Sequence, residues 1–99
     1  MSDLVVRVSG VDAVRVGQRL EGLVGVESTG LEIERDLELV VAVVGLVLSG
    51  AQTAKALWEW WEASRAERVT VTLVLSDGRI VDIDGLARDE LEAALEEGA

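Results

Sequence analysis

The sequence predicts an α+β fold: a small β-sheet, made of an N-terminal strand plus a C-terminal hairpin, packed on one long apolar helix with two shorter helices. Three observations predict it. Leu4, Val6 and Val8 alternate with Val5, Arg7 and Ser9, the period-two pattern of a strand. An unbroken apolar run from Leu39 to Leu48 flows through Ser49-Gly50-Ala51 into the tryptophan cluster Trp58-Glu59-Trp60-Trp61. Val69 to Leu75, then Ser76-Asp77-Gly78, then Arg79 to Asp84, carry a hairpin signal. With 99 residues the chain is long enough for one core, and residues 1–99 are expected to form a single domain.

Each element has its own local reasons. Gly10 closes the first strand, and Val11-Asp12 then reads as a hydrophobic residue followed by a helix N-cap. Ala13, Val16, Leu20, Leu23 and Val24 recur at helical spacing, with Arg15, Gln18, Arg19 and Glu21 outward. Gly17 and Gly22 each cost that helix about 1 kcal/mol relative to alanine. Val26 to Gly30 reads as a turn or short strand, and Leu31-Glu32-Ile33-Glu34 alternates like a strand but also suits the start of the next helix.

The long helix is expected from near Asp36, where acidic residues suit the positive end of the helix dipole, to near Arg65 at the negative end. Its half from Leu39 to Leu48 is apolar all round; beyond Ser49, the residues Gln52, Lys55, Glu59 and Glu62 form a wet stripe opposite Ala51, Ala54, Trp58 and Trp61. In the hairpin, a two-residue loop at Asp77-Gly78 would set Leu73 against Asp82 and put carboxylates on the buried side. A three-residue loop, with Gly78 left-handed, instead pairs Leu73 with Val81 and Val71 with Ile83, and this register is expected. Asp89 to Glu97, stopped by Gly98, forms a short acidic helix with Leu91, Ala94 and Leu95 inward.

Composition excludes several functions. A net charge of −10, one lysine (Lys55) and eight scattered arginines argue against nucleic acid, which is held by clustered cations. The same charge repels anionic lipid headgroups. There is no cysteine, hence no disulfide, zinc thiolate or thiol nucleophile, and this composition fits a cytoplasmic setting. Met1-Ser2-Asp3 opens acidic and the first apolar stretch is only Leu4-Val5-Val6, which reads as no signal peptide. A hydrophobic fraction of 49% and a mean hydropathy of +0.32 are high for a small solitary protein, so part of its surface is expected to meet a partner.

No catalytic constellation stands out. With no histidine, none of Ser2, Ser9, Ser28, Ser49, Ser64 or Ser76 has a usual base, and Lys55 is the sole lysine. Asp77, Asp82 and Asp84 lack the spacing of a calcium loop and read as a turn plus solvated strand ends. Gly22-Leu23-Val24-Gly25 is no phosphate loop. The expectation is a chain that is not an enzyme, with no metal and no cofactor.

What remains is the helix surface. Gly45 with Ser49, and Gly50 with Ala54, have the spacing that lets helices approach closely, in membranes or against a sheet. Trp58 and Trp61, about one turn apart, suit the core, while Trp60 points to the other side and would anchor an interface if exposed. The helix-packing and interaction set is therefore Gly45, Ser49, Gly50, Ala54, Trp58, Trp60 and Trp61. The stretch Leu39 to Ala51 would span only ~20 Å as a helix, against about 30 Å of hydrocarbon, but extension toward Leu57 brings the tryptophans to an interfacial position.

The layout resembles the effector-associated constant component family of bacterial conflict (defence) systems. The resemblance is carried by Leu48-Ser49-Gly50-Ala51, its continuation Ala54-Lys55-Ala56-Leu57-Trp58 to Arg65, and Val69-Thr70-Val71 through Asp77-Gly78-Arg79 to Val81-Asp82-Ile83-Asp84. The N-terminal third matches in outline, as strand then helix. Ser76 stands where members often carry proline, and the family's usual first-helix tryptophan is absent here.

The resemblance implies a small noncatalytic protein encoded beside effectors and caspase-like or trypsin-like proteases. It implies an adaptor or scaffold that forms a homo-oligomer, or docks an effector or protease, through the long helix. The alternative expectation is a membrane-inserting effector whose helix 37–65 permeabilises or anchors to a membrane. The resemblance assigns no catalytic residues.

Overall fold

The computed structural model describes residues 4–23, 26–36, 39–47 and 51–98. In chain order the elements are β1 (Leu4–Gly10), α1 (Ala13–Glu21), β2 (Glu27–Asp36), β3 (Leu39–Val47), α2 (Ala51–Ser64), β4 (Val69–Leu75), β5 (Ile80–Asp82), a 3-10 turn (Ile83–Gly85) and α3 (Arg88–Gly98). The strands form one five-stranded sheet in the order β2-β3-β1-β4-β5, and every neighbouring pair is antiparallel. β3 is inserted between β1 and β2, which α1 connects; β1 is inserted between β3 and β4, which α2 connects. This is the split β-α-β arrangement used twice, extended by β5, the 3-10 turn and α3.

The α+β class stands, but its long apolar helix does not exist. Residues 39–47 are a strand, and helix begins only at Ala51. The sheet accordingly has five strands rather than the N-terminal strand and hairpin alone. Five of the ten residues from Leu39 to Leu48 are valine, whose branched Cβ is stiff in a helix and packs well on a pleated surface. β3 has neighbours on both sides, its core face carries Ala42, Val44 and Leu46, and its other face carries Val41, Val43 and Val47 in place of polar residues, so its sequence reads as a continuous apolar run.

All three helices share one core on one face of the sheet. Leu4, Val6 and Val8 of β1, Ala42, Val44 and Leu46 of β3, and Val71, Leu73 and Leu75 of β4 are buried there with Val16, Leu20, Leu57, Trp61, Leu91 and Leu95. α1 lies close on β3 because Gly17 carries no side chain: a Cβ built there would sit 2.7 Å from the Ala42 Cβ. The glycine that weakens the helix locally is thus required by its packing. Asp12 occupies the N-cap position of α1 without capping it; its Oδ2 instead accepts the Arg68 backbone N–H at 3.2 Å, tying α1 to the start of β4. Glu67 reinforces that junction through ion pairs with Arg15, at 2.9 Å, and with Arg19.

The hairpin adopts the three-residue loop. Gly78 has φ +92°, Leu75 N–H donates to the Arg79 carbonyl at 2.9 Å, and Leu73 faces Val81. Val71 does not pair with Ile83, because β5 ends at Asp82 and the 3-10 turn carries the Ile83 side chain into the core. In α3, Leu91 and Leu95 are buried as the spacing predicts, and Glu90 Oε1 accepts the Ala87 N–H at 3.0 Å, closing the helix start.

Candidate functional site

The residues expected to form an interaction helix do not share a surface. Gly45 lies in β3, so its spacing to residue 49 is not helical. Ser49 and Gly50 lie outside the described residues. Ala54, Trp60 and Trp61 belong to the core. Trp60, expected on the side opposite Trp58 and Trp61 as an anchor if exposed, is only 4% exposed, and its Nε1–H donates to the Val16 carbonyl at 3.1 Å, locking α2 to α1. Trp58, expected inward, is half-buried at the rim, where the Arg65 guanidinium lies 5.6 Å from its ring centre and 5.6 Å from that of Trp61.

The reversal has a simple cause. The buried stripe of α2 is Thr53, Ala54, Leu57, Trp60, Trp61 and Ser64, at the i, i+1, i+4, i+7, i+8, i+11 spacing of one helix face. Trp58 stands at its edge. The sequence reading took Ala51, Ala54, Trp58 and Trp61 as the inward stripe, a rotation of the helix that the observed core excludes.

Among the described residues, the surface over which no helix lies is the opposite face of the sheet. Strand alternation places Val5, Arg7 and Ser9 of β1, Val41, Val43, Gly45 and Val47 of β3, Thr70, Thr72 and Val74 of β4, and Ile80 and Asp82 of β5 on that side. β2 contributes Glu27, Glu32 and Glu34 at one margin. No described helix packs there, since the apolar sides of all three lie in the core on the other face. Ile80 is 70% exposed, and Leu39, also on this side, is exposed.

Pairing register arranges these side chains in rows across the sheet. One row runs Glu32, Val43, Arg7, Thr72, Asp82, and its neighbour runs Gly30, Gly45, Val5, Val74, Ile80. A third runs Glu34, Val41, Ser9, Thr70. The face therefore has a floor of valine, threonine and glycine, acidic margins on β2 and β5, and one cation near its middle. Arg7 Nη2 stands 3.7 Å from Glu34 Oε2, and Thr72 Oγ1 donates to Asp82 Oδ1 at 3.3 Å.

Two polar pairs, Arg7 with Glu34 and Thr72 with Asp82, are made within this face. Among the described residues no group of three or more His, Cys, Asp or Glu is placed to hold a metal ion. Asp77, at the hairpin tip, has its carboxyl held below the usual aspartate range, chiefly by the Arg79 backbone N–H that it accepts and further by the Arg79 side chain. That is turn chemistry. No described helix is long and apolar enough to cross a membrane, and helix 37–65 is absent as such.

Val5, Val43, Val47 and Val74 were not marked by the sequence as lying on an outer face, nor was Val41, which is buried on that same side. The alternation of β1 and β4 contained Val5 and Val74; those of β3 were hidden because both of its faces are apolar. Comparison with protein-family models, with curated proteins and with solved structures finds no match to this chain.

Proposed function

We propose that this chain is a noncatalytic adaptor or scaffold component of a bacterial defence (conflict) system, acting in the cytoplasm and associating through the uncovered face of its sheet. The observation that carries the reading is the valine-floored row system on β3, β1 and β4, over which no described helix lies. A face of this kind favours association, because covering valine methyls removes about 25 cal/mol per Å² of apolar surface from water. The noncatalytic part rests on the sequence, which has no histidine, no cysteine and one lysine. The defence setting rests on the resemblance.

The partners on this reading are a second copy of the chain, or an effector or caspase-like or trypsin-like protease encoded beside it. The surface is the sheet in place of the helix first expected. The test is co-elution of the purified chain with the products of its neighbouring genes, using wild type and Val43→Glu. Loss of the complex in the variant supports the reading. A complex that Val43→Glu leaves intact contradicts it.

A further inference from the structure

We propose that two copies of this chain stack face to face through their open sheets, about a two-fold axis running along β3. The proposal rests on the reading of that face as the binding surface and commits it to one occupant. The argument comes from the charge order across the sheet.

The row Glu32, Val43, Arg7, Thr72, Asp82 carries its charges in the sequence minus, neutral, plus, neutral, minus. An axis along β3 lays β1 of one copy over β2 of the other. Arg7 then meets the second copy's Glu32, Glu32 meets the second copy's Arg7, and Val43 lies over Val43. The neighbouring rows place Gly45 over Gly45, where the glycine leaves room for close approach, and Val41 over Val41. Val41 is 7% exposed beside the Arg7–Glu34 pair and comes into contact as Arg7 turns from its own Glu34, 3.7 Å away, to the second copy's Glu32, so the centre of the contact is apolar.

Other two-fold arrangements are less favourable. An axis along β1 sets Arg7 on Arg7 and Glu32 on Asp82. An axis across the strands along this row sets every charged residue of the row on itself, and one between this row and the Val5 row sets each charge on an uncharged residue, with no pair gained. Like charges in direct opposition across a contact are costly. Axes along β3 and along β4 both pair opposite signs in both directions, the latter setting Arg7 on the second copy's Asp82. The β4 axis, however, centres on Thr70 and Thr72 and overlaps the three-residue β5, so the apolar centre and the larger overlap select β3.

The net charge of −10 opposes this arrangement mainly through the acidic margins of the face itself, Glu27, Glu32, Glu34 and Asp82 against Arg7, which weakens the contact; the acids of the helices lie elsewhere. Glu59 and Glu62 of α2, and Asp89, Glu90, Glu92 and Glu96 of α3, lie on elements packed against the other face. In the stack the helix layers point outward with two sheets between them. Sheets pack about 10 Å apart, so these acidic layers are separated by well over the ~8 Å screening length of physiological salt.

Area sets the strength. Three overlapping strands, ~4.8 Å apart and about eight residues long, give a footprint of roughly 400 Å² on each copy. Side-chain relief brings the total buried toward ~1,000 Å², the lower limit for a specific contact and the range of associations that dissociate on dilution. The dimer is therefore weak and concentration-dependent.

The experiment is sedimentation velocity on the full chain, from low micromolar to near millimolar concentration, with wild type, Arg7→Glu, Glu32→Arg and an equimolar mixture of the two variants. Wild type is expected to shift from monomer to dimer as concentration rises. Each variant alone places like charges at both pairs and should weaken dimerisation at least about tenfold, equivalent to 1.4 kcal/mol. The mixture restores both pairs between different copies and should dimerise as wild type does. Both substituted residues are exposed, and circular dichroism checks that each variant folds.

A wild type that stays monomeric, variants that dimerise unchanged, or a mixture that shows no recovery would each overturn the proposal. A monomeric chain that still binds a neighbouring gene product in a Val43-dependent way would overturn the dimer alone. A monomeric chain whose partner complex ignores Val43→Glu would overturn the surface assignment as well.

Discussion

Arg7 on β1 and Glu34 on β2 reach across β3 to each other, with Nη2 and Oε2 3.7 Å apart, and the strand they span carries Val41 and Val43 between them. Val41 is 7% exposed yet lies outside the core cluster, on the face that no described helix covers. The long arginine stem and the glutamate account for its shielding. Arg7→Ala should lower stability by under about 1 kcal/mol, since a solvated pair contributes little. The loss should persist at high salt if stem packing dominates; urea unfolding at two ionic strengths measures this. A loss that vanishes in salt would assign the effect to charge.

Trp60 joins two helices through one hydrogen bond and a large buried ring. Trp60→Phe keeps most of the ring and removes the donor to the Val16 carbonyl, and should cost about 1–2 kcal/mol. Trp60→Ala should cost about 3–5 kcal/mol. Acrylamide quenching of tryptophan emission should fall most with Trp58→Phe, because Trp58 is the half-exposed ring. Greater loss of quenching with Trp60→Phe would contradict the placement of α2.

Gly17 and Ala42 fix how closely α1 lies on the sheet. Gly17→Ala would raise helix propensity by about 1 kcal/mol if the residue were free, but the new Cβ meets the Ala42 Cβ at 2.7 Å. The variant is therefore expected to be destabilised, and Ala42→Gly should relieve it. A double-mutant cycle on denaturant midpoints should show a favourable coupling of at least about 0.5 kcal/mol. Additive effects would mean that α1 sits farther from β3 than described.

Much of this architecture was legible in the residues, and the part that was not has a definite origin. β1 and β4 each have one face on the core and one outward, so Leu4-Val6-Val8 and Val71-Leu73-Leu75 kept a period of two. The hairpin loop followed from which register keeps Asp82 off the buried side. β3 gave no such period, because Ala42, Val44 and Leu46 face the helices while Val41 and Val43 form the floor of the other face. Its valine content was the remaining signal, and it pointed to a strand. Once 39–47 is taken out of the helix, α2 no longer inherits a phase from it, and Trp60 replaces Trp58 inside.

Asp77 makes a pH prediction. Its carboxyl accepts the Arg79 N–H at 3.0 Å and Nε–H at 2.7 Å, which hold its pKa below the ordinary value. A depressed folded-state pKa contributes stability above the unfolded value that is lost as pH falls through the lower, folded one. The turn should therefore keep its charged form through the range where exposed carboxylates protonate, and loosen only at more acidic pH. An NMR titration of Asp77 and the Arg79 amide should show a shared, depressed midpoint. Arg79→Ala should raise it only in part, since the backbone hydrogen bond is the larger cause and survives. Full return to the ordinary range would contradict that ranking.

The central claim is that residues 39–47 form a strand with one face in the core and one face open for association. Solvent paramagnetic relaxation of valine and isoleucine methyls, read in dilute solution, tests it most directly. The account predicts strong relaxation at Val5, Val43, Val47, Val74 and Ile80, with little at Val6, Val8, Val44 and Val71. Equal shielding of Val43, Val44 and Val47, or relaxation following a helical period through 39–47, would contradict it.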